Sequence, residues 1–293
     1  MSINISRSEV AFVLVGGQGT RLRSLFPETP KPLVPLGGVA FLDRLLNKLA
    51  GAGFKHIFLL AGYLSEKFVP YDLKRIQNCT VHLVIEDRPL GSGGAVALGV
   101  EAMKNDLGSG DDAIIKDILI VNGDTWYGGD IGELLNSSYQ SDYLLGVCHY
   151  EQADRYGLVE LDKDRVIRSF HEKKVNSSGW VNSGYMVVAN KILSTLTAES
   201  FSSLEKDVYP LFRGEACYLQ GQFYDYGTPD SYRDINKMFW LEEARTFGKE
   251  FRNIIQDYLD GKMTTVECEK IASSLGSEQL IFVHELQRDP FLK

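Results

Sequence analysis

The 293-residue chain has four cysteines, and Cys79, Cys148, Cys217 and Cys268 are too scattered to form a CxxC pair. That spacing excludes a zinc ribbon and a disulfide framework and suits single buried thiols in a reducing compartment. The histidines, His56, His82, His149, His171 and His284, lack HExxH spacing, so a zinc-hydrolase helix is excluded too. Positive charge is in deficit: 31 Lys and Arg face 39 Asp and Glu, a formal net charge of -8. Such a chain lacks the basic footprint of a general nucleic-acid binder, and any phosphate site must be a local cationic focus. No run approaches the ~20 apolar residues of a membrane span. The polar stretch Met1–Glu9 has no apolar signal core. The expectation is a cytoplasmic protein with neither membrane nor nucleic acid as partner. Catalytic signatures are missing as well. There is no GxxxxGK[ST] loop, the stretch Gly17–Leu22 lacks the last glycine of GxGxxG, and Ser92 and Ser183 lack a GxSxG context.

What is present is an ordinary globular composition, 44% hydrophobic and 24% charged, enough for one large α/β domain with an appendage. Apolar runs at Val10–Val15, His56–Leu60, Val81–Ile85 and Ile118–Val121 read as buried strands. Helical spacing covers Phe41–Ala52, Ser65–Ile76 and Gly94–Lys104. This alternation predicts a mostly parallel sheet with helices on both faces, which binds ligands at the carboxyl ends of its strands. Tyr143–Tyr150, Leu158–Leu161, Val166–Phe170 and Val181–Ala189 then read as strands with short connections, extending the sheet into a mixed one. From Asp230 onward the pattern is helical, with segments at Tyr232–Phe247, Phe251–Asp260 and Val266–Ser274.

The most informative stretch follows the first strand: Val15-Gly16-Gly17-Gln18-Gly19-Thr20-Arg21-Leu22, with Pro30-Lys31-Pro32 shortly after. The glycines clear side chains from the backbone, so N–H groups can face phosphate oxygens. Arg21 adds a planar cationic fork and Lys31 a movable point charge, a combination suited to a triphosphate. Other candidates sit at predicted strand ends. Asp124, in Asn122-Gly123-Asp124, is either a hard ligand for Mg²⁺ or a helix cap. Asp225, among Phe223, Tyr224 and Tyr226, is either a second metal ligand or a turn residue before Gly227-Thr228-Pro229. Glu86-Asp87-Arg88-Pro89-Leu90-Gly91-Ser92 forms a second glycine-containing turn, either carrying a base against backbone amides or simply opening a helix. Glu172-Lys173-Lys174 could hold a phosphate or be a solvated charge run.

In this order, the motifs GGxGTRL and PKP resemble the sugar-nucleotide pyrophosphorylases (nucleotidyltransferases), over roughly residues 9 to 235. The strings Arg21–Ser24, Glu86–Ala95, Glu172–Lys174, Ser203–Asp207 and Tyr224–Tyr232 are most similar to the guanylyltransferases acting on heptose 1-phosphate, with those acting on mannose 1-phosphate next. The resemblance implies a Rossmann-like, GT-A-like three-layer α/β/α domain over 1–235 with a mixed central sheet, followed by a helical extension over 236–293. It implies an enzyme that joins a nucleoside triphosphate, GTP first, to a sugar 1-phosphate. It assigns Val15, Gly16, Gly17, Gln18, Gly19, Thr20, Glu86, Pro89, Leu90, Gly91, Ser92, Asn122 and Gly123 to the nucleotide. Gly157, Glu172, Lys173 and Asn182 go to the sugar phosphate, and Asp124 and Asp225 to Mg²⁺. Arg21, Lys31, Asp124 and Lys173 are the implied catalytic residues. Other implied possibilities are mannose 1-phosphate, another nucleotide with another phosphorylated acceptor, or a regulator that only senses NDP-sugars. A glycosyltransferase would want DxD where Asp124-Thr125-Trp126 stands. The tail Asn236–Lys293 runs past the usual end of the short enzymes, and is expected to pack on the core or form a homo-oligomer interface.

Overall fold

A computed structural model of the chain describes residues 9–107, 117–151, 153, 156–171, 178–197 and 203–292. They divide into two compact units: Met1–Gln18 with Leu45–Tyr224, and Gly19–Arg44 with Asp225–Lys293.

The first unit is organised by a ten-stranded mixed sheet. Its main strands are β1 (Val10–Leu14), β2 (His56–Ala61), β3 (Cys79–Ile85), β4 (Ile118–Asn122) and β5 (Tyr143–Tyr150). They continue with β6 (Leu158–Leu161), β7 (Ile167–His171), β8 (Gly179–Val188) and β9 (Gly214–Tyr218). The order is β7-β6-β8-β4-β1-β2-β3, closed by the short strand Arg75–Ile76, and β5 lies against β8 and β9. β4, β1, β2 and β3 run parallel, with Leu14 opposite both Leu60 and Asn122, and Ala61 opposite Ile85. β8 runs antiparallel to β4, which makes the sheet mixed as the sequence pattern predicts.

β1 to β4 are apolar on both sides because the sheet is covered on both faces. One face is covered by helix Gly91–Leu107. Val96, Val100 and Met103 of that helix join Phe12, Phe58, Leu60 and Ile120 in one buried cluster. One element differs from the sequence expectation. Ser65–Ile76 is not an α-helix: a 3-10 turn covers Ser65–Tyr71, and Arg75–Ile76 pairs antiparallel with β3. Pro70 supplies no N–H inside the turn, and Leu73 takes a positive φ that ends helical geometry. The strand Gly214–Tyr218 was not legible as a strand beforehand.

The second unit contains the segment after the glycine loop and the C-terminal helices. It holds a 3-10 turn at Lys31–Leu33 and a small hairpin of Pro35–Leu36 with Val39–Ala40. Four helices follow: α1 (Pro229–Ala244), α2 (Lys249–Leu259), α3 (Thr265–Leu275) and α4 (Ser277–Arg288). α1 starts on a capping box, in which Thr228 and Ser231 satisfy each other's backbone N–H, with Pro229 at the first helical position. α4 lies beyond the helical segments anticipated from sequence, because Gly276 separates it from α3 by a single residue.

Candidate active site

In the first unit the parallel register brings three chain segments to one rim. Gly16 follows β1, Gly62 follows β2 and Glu86 follows β3. A Cβ on Gly16 would lie 3.1 Å from the Gly62 nitrogen and 3.2 Å from Glu86 Oε1, tight enough that either neighbour would have to move to admit it. Glu86 Oε2 accepts the Leu90 N–H at 2.9 Å, which ties the strand end to the Pro89-Leu90-Gly91 turn. Burial pushes the Glu86 carboxyl above its ordinary range, and the Leu90 N–H pulls part of the way back. Gly17 and Gln18 are exposed, with open space around Gly17.

One strand over, the Gly123 N–H donates to the Leu14 carbonyl at 2.9 Å, which holds Asn122-Gly123-Asp124 beside β1. Asp124 is half-buried. Asn182 accepts the Gly184 N–H at 2.8 Å and donates to Glu205 Oε1 at 2.9 Å. Ser92 accepts the Leu204 N–H at 2.9 Å, joining the start of the long helix to the turn that carries Glu205. Gly157 lines a groove of about 810 Å³ that also includes His171, Glu205, Lys206 and Tyr209. Glu172 and Lys173 lie outside the described residues, as does Lys174.

In the second unit Lys31 and Asp225 are a pair. Lys31 Nζ donates to Asp225 Oδ1 at 2.7 Å, and the side chains are only 8% and 17% exposed. Gly227 N–H donates to the same oxygen at 2.8 Å. Burial works to raise the Asp225 carboxyl, but the charge and hydrogen bond of Lys31, the Gly227 N–H and the Arg21 charge outweigh it, and the group sits below its ordinary range. Lys31 Nζ also lies 4.8 Å from the Tyr226 ring centroid, and the Tyr226 hydroxyl donates to the Lys31 carbonyl at 3.1 Å. Gly19 is left-handed, with φ of 56°, and a Cβ there would stand 3.1 Å from the Lys31 Cβ. Thr20 and Arg21 follow on an exposed 3-10 turn.

Lys31 and Asp225 were read separately from sequence, one as a phosphate contact and one as a metal ligand; the fold joins them directly. Gly62 and Tyr226 were not singled out. Gly62 carried a readable signal, a glycine at the end of a buried strand. The partnership of Tyr226 with the Lys31 carbonyl had none. Among the described residues no cluster of three or more His, Cys, Asp or Glu side chains is arranged to hold a metal ion. Sites that rely on one or two carboxylates plus substrate phosphates are the usual form for Mg²⁺.

Residues 10–240, which contain the strand ends, the glycine loop and both Lys31 and Asp225, match the nucleotidyl transferase family. The chain belongs to the nucleotidyl transferase family. It is therefore an enzyme of the nucleotidyl-transfer class. It is 29% identical over 226 residues to a D-glycero-alpha-D-manno-heptose 1-phosphate guanylyltransferase of Campylobacter jejuni, covering 76% of this chain and 96% of that one. A protein of the same name from Aneurinibacillus thermoaerophilus is 30% identical over 238 residues, covering 78% and 96%. Among solved structures, HddC from Yersinia pseudotuberculosis has a TM-score of 0.68 at 29% identity, over 78% of this chain and 99% of that one. HddC has also been solved complexed with GMP-PN, and that structure has a TM-score of 0.67. For this nucleotidyl transferase, no helix among the described residues is long and apolar enough to cross a membrane.

Proposed function

We propose that the protein joins GTP to D-glycero-D-manno-heptose 1-phosphate, giving a GDP-sugar and pyrophosphate. Residues 1–235 are the catalytic part in this reading and 236–293 an extension, and the reaction takes place in the cytoplasm. The names of the two guanylyltransferase relatives and the guanine nucleotide bound in the HddC complex support the base and the sugar. The observation that carries the reading is the Gly16–Gly62–Glu86 rim, a glycine-cleared strand end that leads into a loop carrying Arg21.

An oxygen of the sugar 1-phosphate attacks the α-phosphorus of the triphosphate. The bond to the β-phosphoryl oxygen breaks, and pyrophosphate leaves with its electron pair. The nucleophile is already an anion, so no general base is required. The work of the protein is to position two anions and offset growing charge. Gly16, Gly17, Gln18, Gly19 and Thr20 take the phosphates with backbone N–H groups, while Val15, whose N–H donates to the Leu60 carbonyl at 2.9 Å, holds the start of the loop beside them, and Arg21 and Lys31 supply positive charge. Glu86, Pro89, Leu90, Gly91 and Ser92 lie to the base and ribose, with Asn122 and Gly123 beside them. Gly157, Glu172, Lys173 and Asn182 take the sugar phosphate.

The donor set fits Mg²⁺. Asp124 and Asp225 are hard oxygen donors, and the depressed Asp225 carboxyl is ionised at neutral pH. One Asp225 oxygen already accepts from Lys31 and Gly227, so the other is the one available to a cation. When bound, the ion would offset charge on the phosphate oxygens.

The test is pyrophosphate release from five nucleoside triphosphates, each paired with heptose, mannose and other sugar 1-phosphates. The proposal expects GTP with the heptose phosphate to turn over fastest. Preference for mannose 1-phosphate or for another nucleotide would reassign the substrates while keeping the chemistry, and no pyrophosphate from any pair would sink the reading.

A further inference from the structure

The chain beyond residue 240 lies outside the family match, yet its end returns to the segment that carries Lys31. Trp240, Phe251, Ile255, Phe282, Val283 and Leu286 form an apolar cluster among α1, α2 and α4. That cluster delivers the C-terminal residues to α1. There Asp289 Oδ2 accepts both Asn236 Nδ2 and Trp240 Nε1, each at 2.8 Å. Its other oxygen accepts the Phe291 N–H at 3.0 Å. Asn236 is fully buried, and its Oδ1 accepts the Gly37 N–H at 2.8 Å.

The chemistry of an amide makes this chain of bonds directional. A carboxylate accepts and cannot donate, so Asp289 fixes the NH₂ end of Asn236 toward itself. The carbonyl end is then left for Gly37. Without Asp289 the buried NH₂ end of Asn236 loses a partner and only the Gly37 N–H is left to orient the amide, so the hold on Gly37 weakens. Gly37 has no room to adjust: its φ is +59°, and a Cβ there would lie 2.8 Å from the Phe239 backbone carbon. Further contacts hold the same stretch. The Tyr232 hydroxyl donates to the Pro35 carbonyl at 2.9 Å. The Phe26 ring packs on Tyr232 and Phe291, with centroids 5.0 Å and 4.7 Å away. Lys31 lies between Phe26 and Gly37.

The geometry points to Asp289 as a positioning residue for Lys31. By orienting the Asn236 amide it fixes Gly37 on one side of Lys31, and by holding Phe291 against Phe26 it fixes the other. The effect on turnover rests on the proposed role of Lys31 in nucleotidyl transfer; the effect on the segment does not.

The test uses the full chain with Asp289→Ala, Asp289→Asn and Phe291→Ala. Hydrogen exchange of peptides covering residues 26–38, GTP-binding calorimetry and pyrophosphate release are measured well below the melting temperature. For Asp289→Ala we expect at least tenfold faster exchange at residues 26–38 and at least tenfold lower kcat, with GTP stoichiometry still near one per chain. Asp289→Asn still offers a carbonyl oxygen to Asn236 and Trp240 but turns its NH₂ toward the Phe291 N–H, so it should restore only the Gly37 side, with kcat between that of Asp289→Ala and the parent. A merely structural role would instead lower stoichiometry and maximal rate in proportion and leave kcat per binding-competent chain unchanged; that pattern overturns the proposal. So do exchange and kcat within twofold of the parent in folded Asp289→Ala. If that variant does not fold, Phe291→Ala decides: faster exchange around residue 26 with reduced kcat supports the proposal, and parental values reject it. A parent that releases no pyrophosphate refutes the reaction, while the exchange data still judge the positioning.

Discussion

Gly16, Gly62 and Glu86 each stand within two residues of a parallel strand, and strand register alone carries them to one rim. Lys31 and Asp225 meet across 194 residues of sequence, and no strand pairing dictates it. The rim works through the absence of side chains, since a Cβ on Gly16 would stand 3.1 Å from the Gly62 nitrogen. The pair works through two charges taken out of water, each tolerable because of the other. The first arrangement should therefore respond to added volume and the second to removed charge.

The largest effect is expected from Lys31→Ala. It leaves Asp225 largely buried without its main partner, which typically costs on the order of 3–5 kcal/mol, read by urea unfolding. Turnover should fall by about 10²–10³, the usual loss for one preorganised donor of positive character. Near-parental turnover in folded protein would remove Lys31 from the reaction. The pH dependence carries a sign. Asp225 titrates below its unfolded value, so its stabilisation is complete above that value and is lost as pH falls through the folded one. The parent should lose this increment on acidification below about pH 3.9, whereas the alanine variant should show a flatter profile there.

Asp225→Asn comes next. The amide can still accept from Lys31, but the charge is gone, at a cost of about 1.5–3 kcal/mol for a charge-assisted hydrogen bond. The Mg²⁺ concentration needed for half-maximal activity should rise at least tenfold. An unchanged Mg²⁺ titration would take Asp225 out of metal binding.

The rim is tested by adding one methyl group at neighbouring positions. Gly16→Ala places a Cβ against the Gly62 nitrogen and the Glu86 carboxylate. Overpacking of that kind costs typically 1–3 kcal/mol, and GTP affinity should drop with stability. Gly17→Ala meets nothing within 4 Å, so its stability should stay within about 0.5 kcal/mol of the parent. Equal destabilisation by the two would contradict the close-packed rim.

Glu86→Gln should be the mildest. A glutamine oxygen can still accept from Leu90, and the substitution removes a carboxyl that burial holds above its ordinary range. A raised carboxyl favours the folded state as it takes up a proton, so the parent gains stability as pH falls through that window and the glutamine variant should not. At neutral pH the melting temperature should be equal or higher, with weaker GTP binding. A clear drop in melting temperature would show that the charge stabilises the rim.

The sheet was largely legible in advance because its strands are apolar throughout, and the ends of those strands named Gly16, Glu86 and Asn122 as candidates. The segment at Ser65–Ile76 misled because its apolar spacing fits a helix, while Pro70 and the positive φ of Leu73 override that period. α4 went unread because one glycine, Gly276, marks its start. At the candidate site, Lys31 and Asp225 were recognisable as residues with chemistry to do, but their pairing was not, since nothing local to either names the other. Asn236 and Asp289 were less visible still: each is an ordinary polar residue in a helical tail, and its meaning lies in which end of an amide faces Gly37.

The amino-acid order determined by itself the alternation of buried strands and helices, the glycine loop after the first strand, and the type of charge available beside it. These are local properties: hydrophobic period, freedom at glycine, and the chemistry of single side chains. Which charges neutralise each other, which glycines must stay glycines, and how the last residues of the chain reach the Lys31 segment were decided only in three dimensions. The physical reason is that burial and hydrogen-bond direction depend on neighbours distant in sequence, and only the folded chain specifies who those neighbours are.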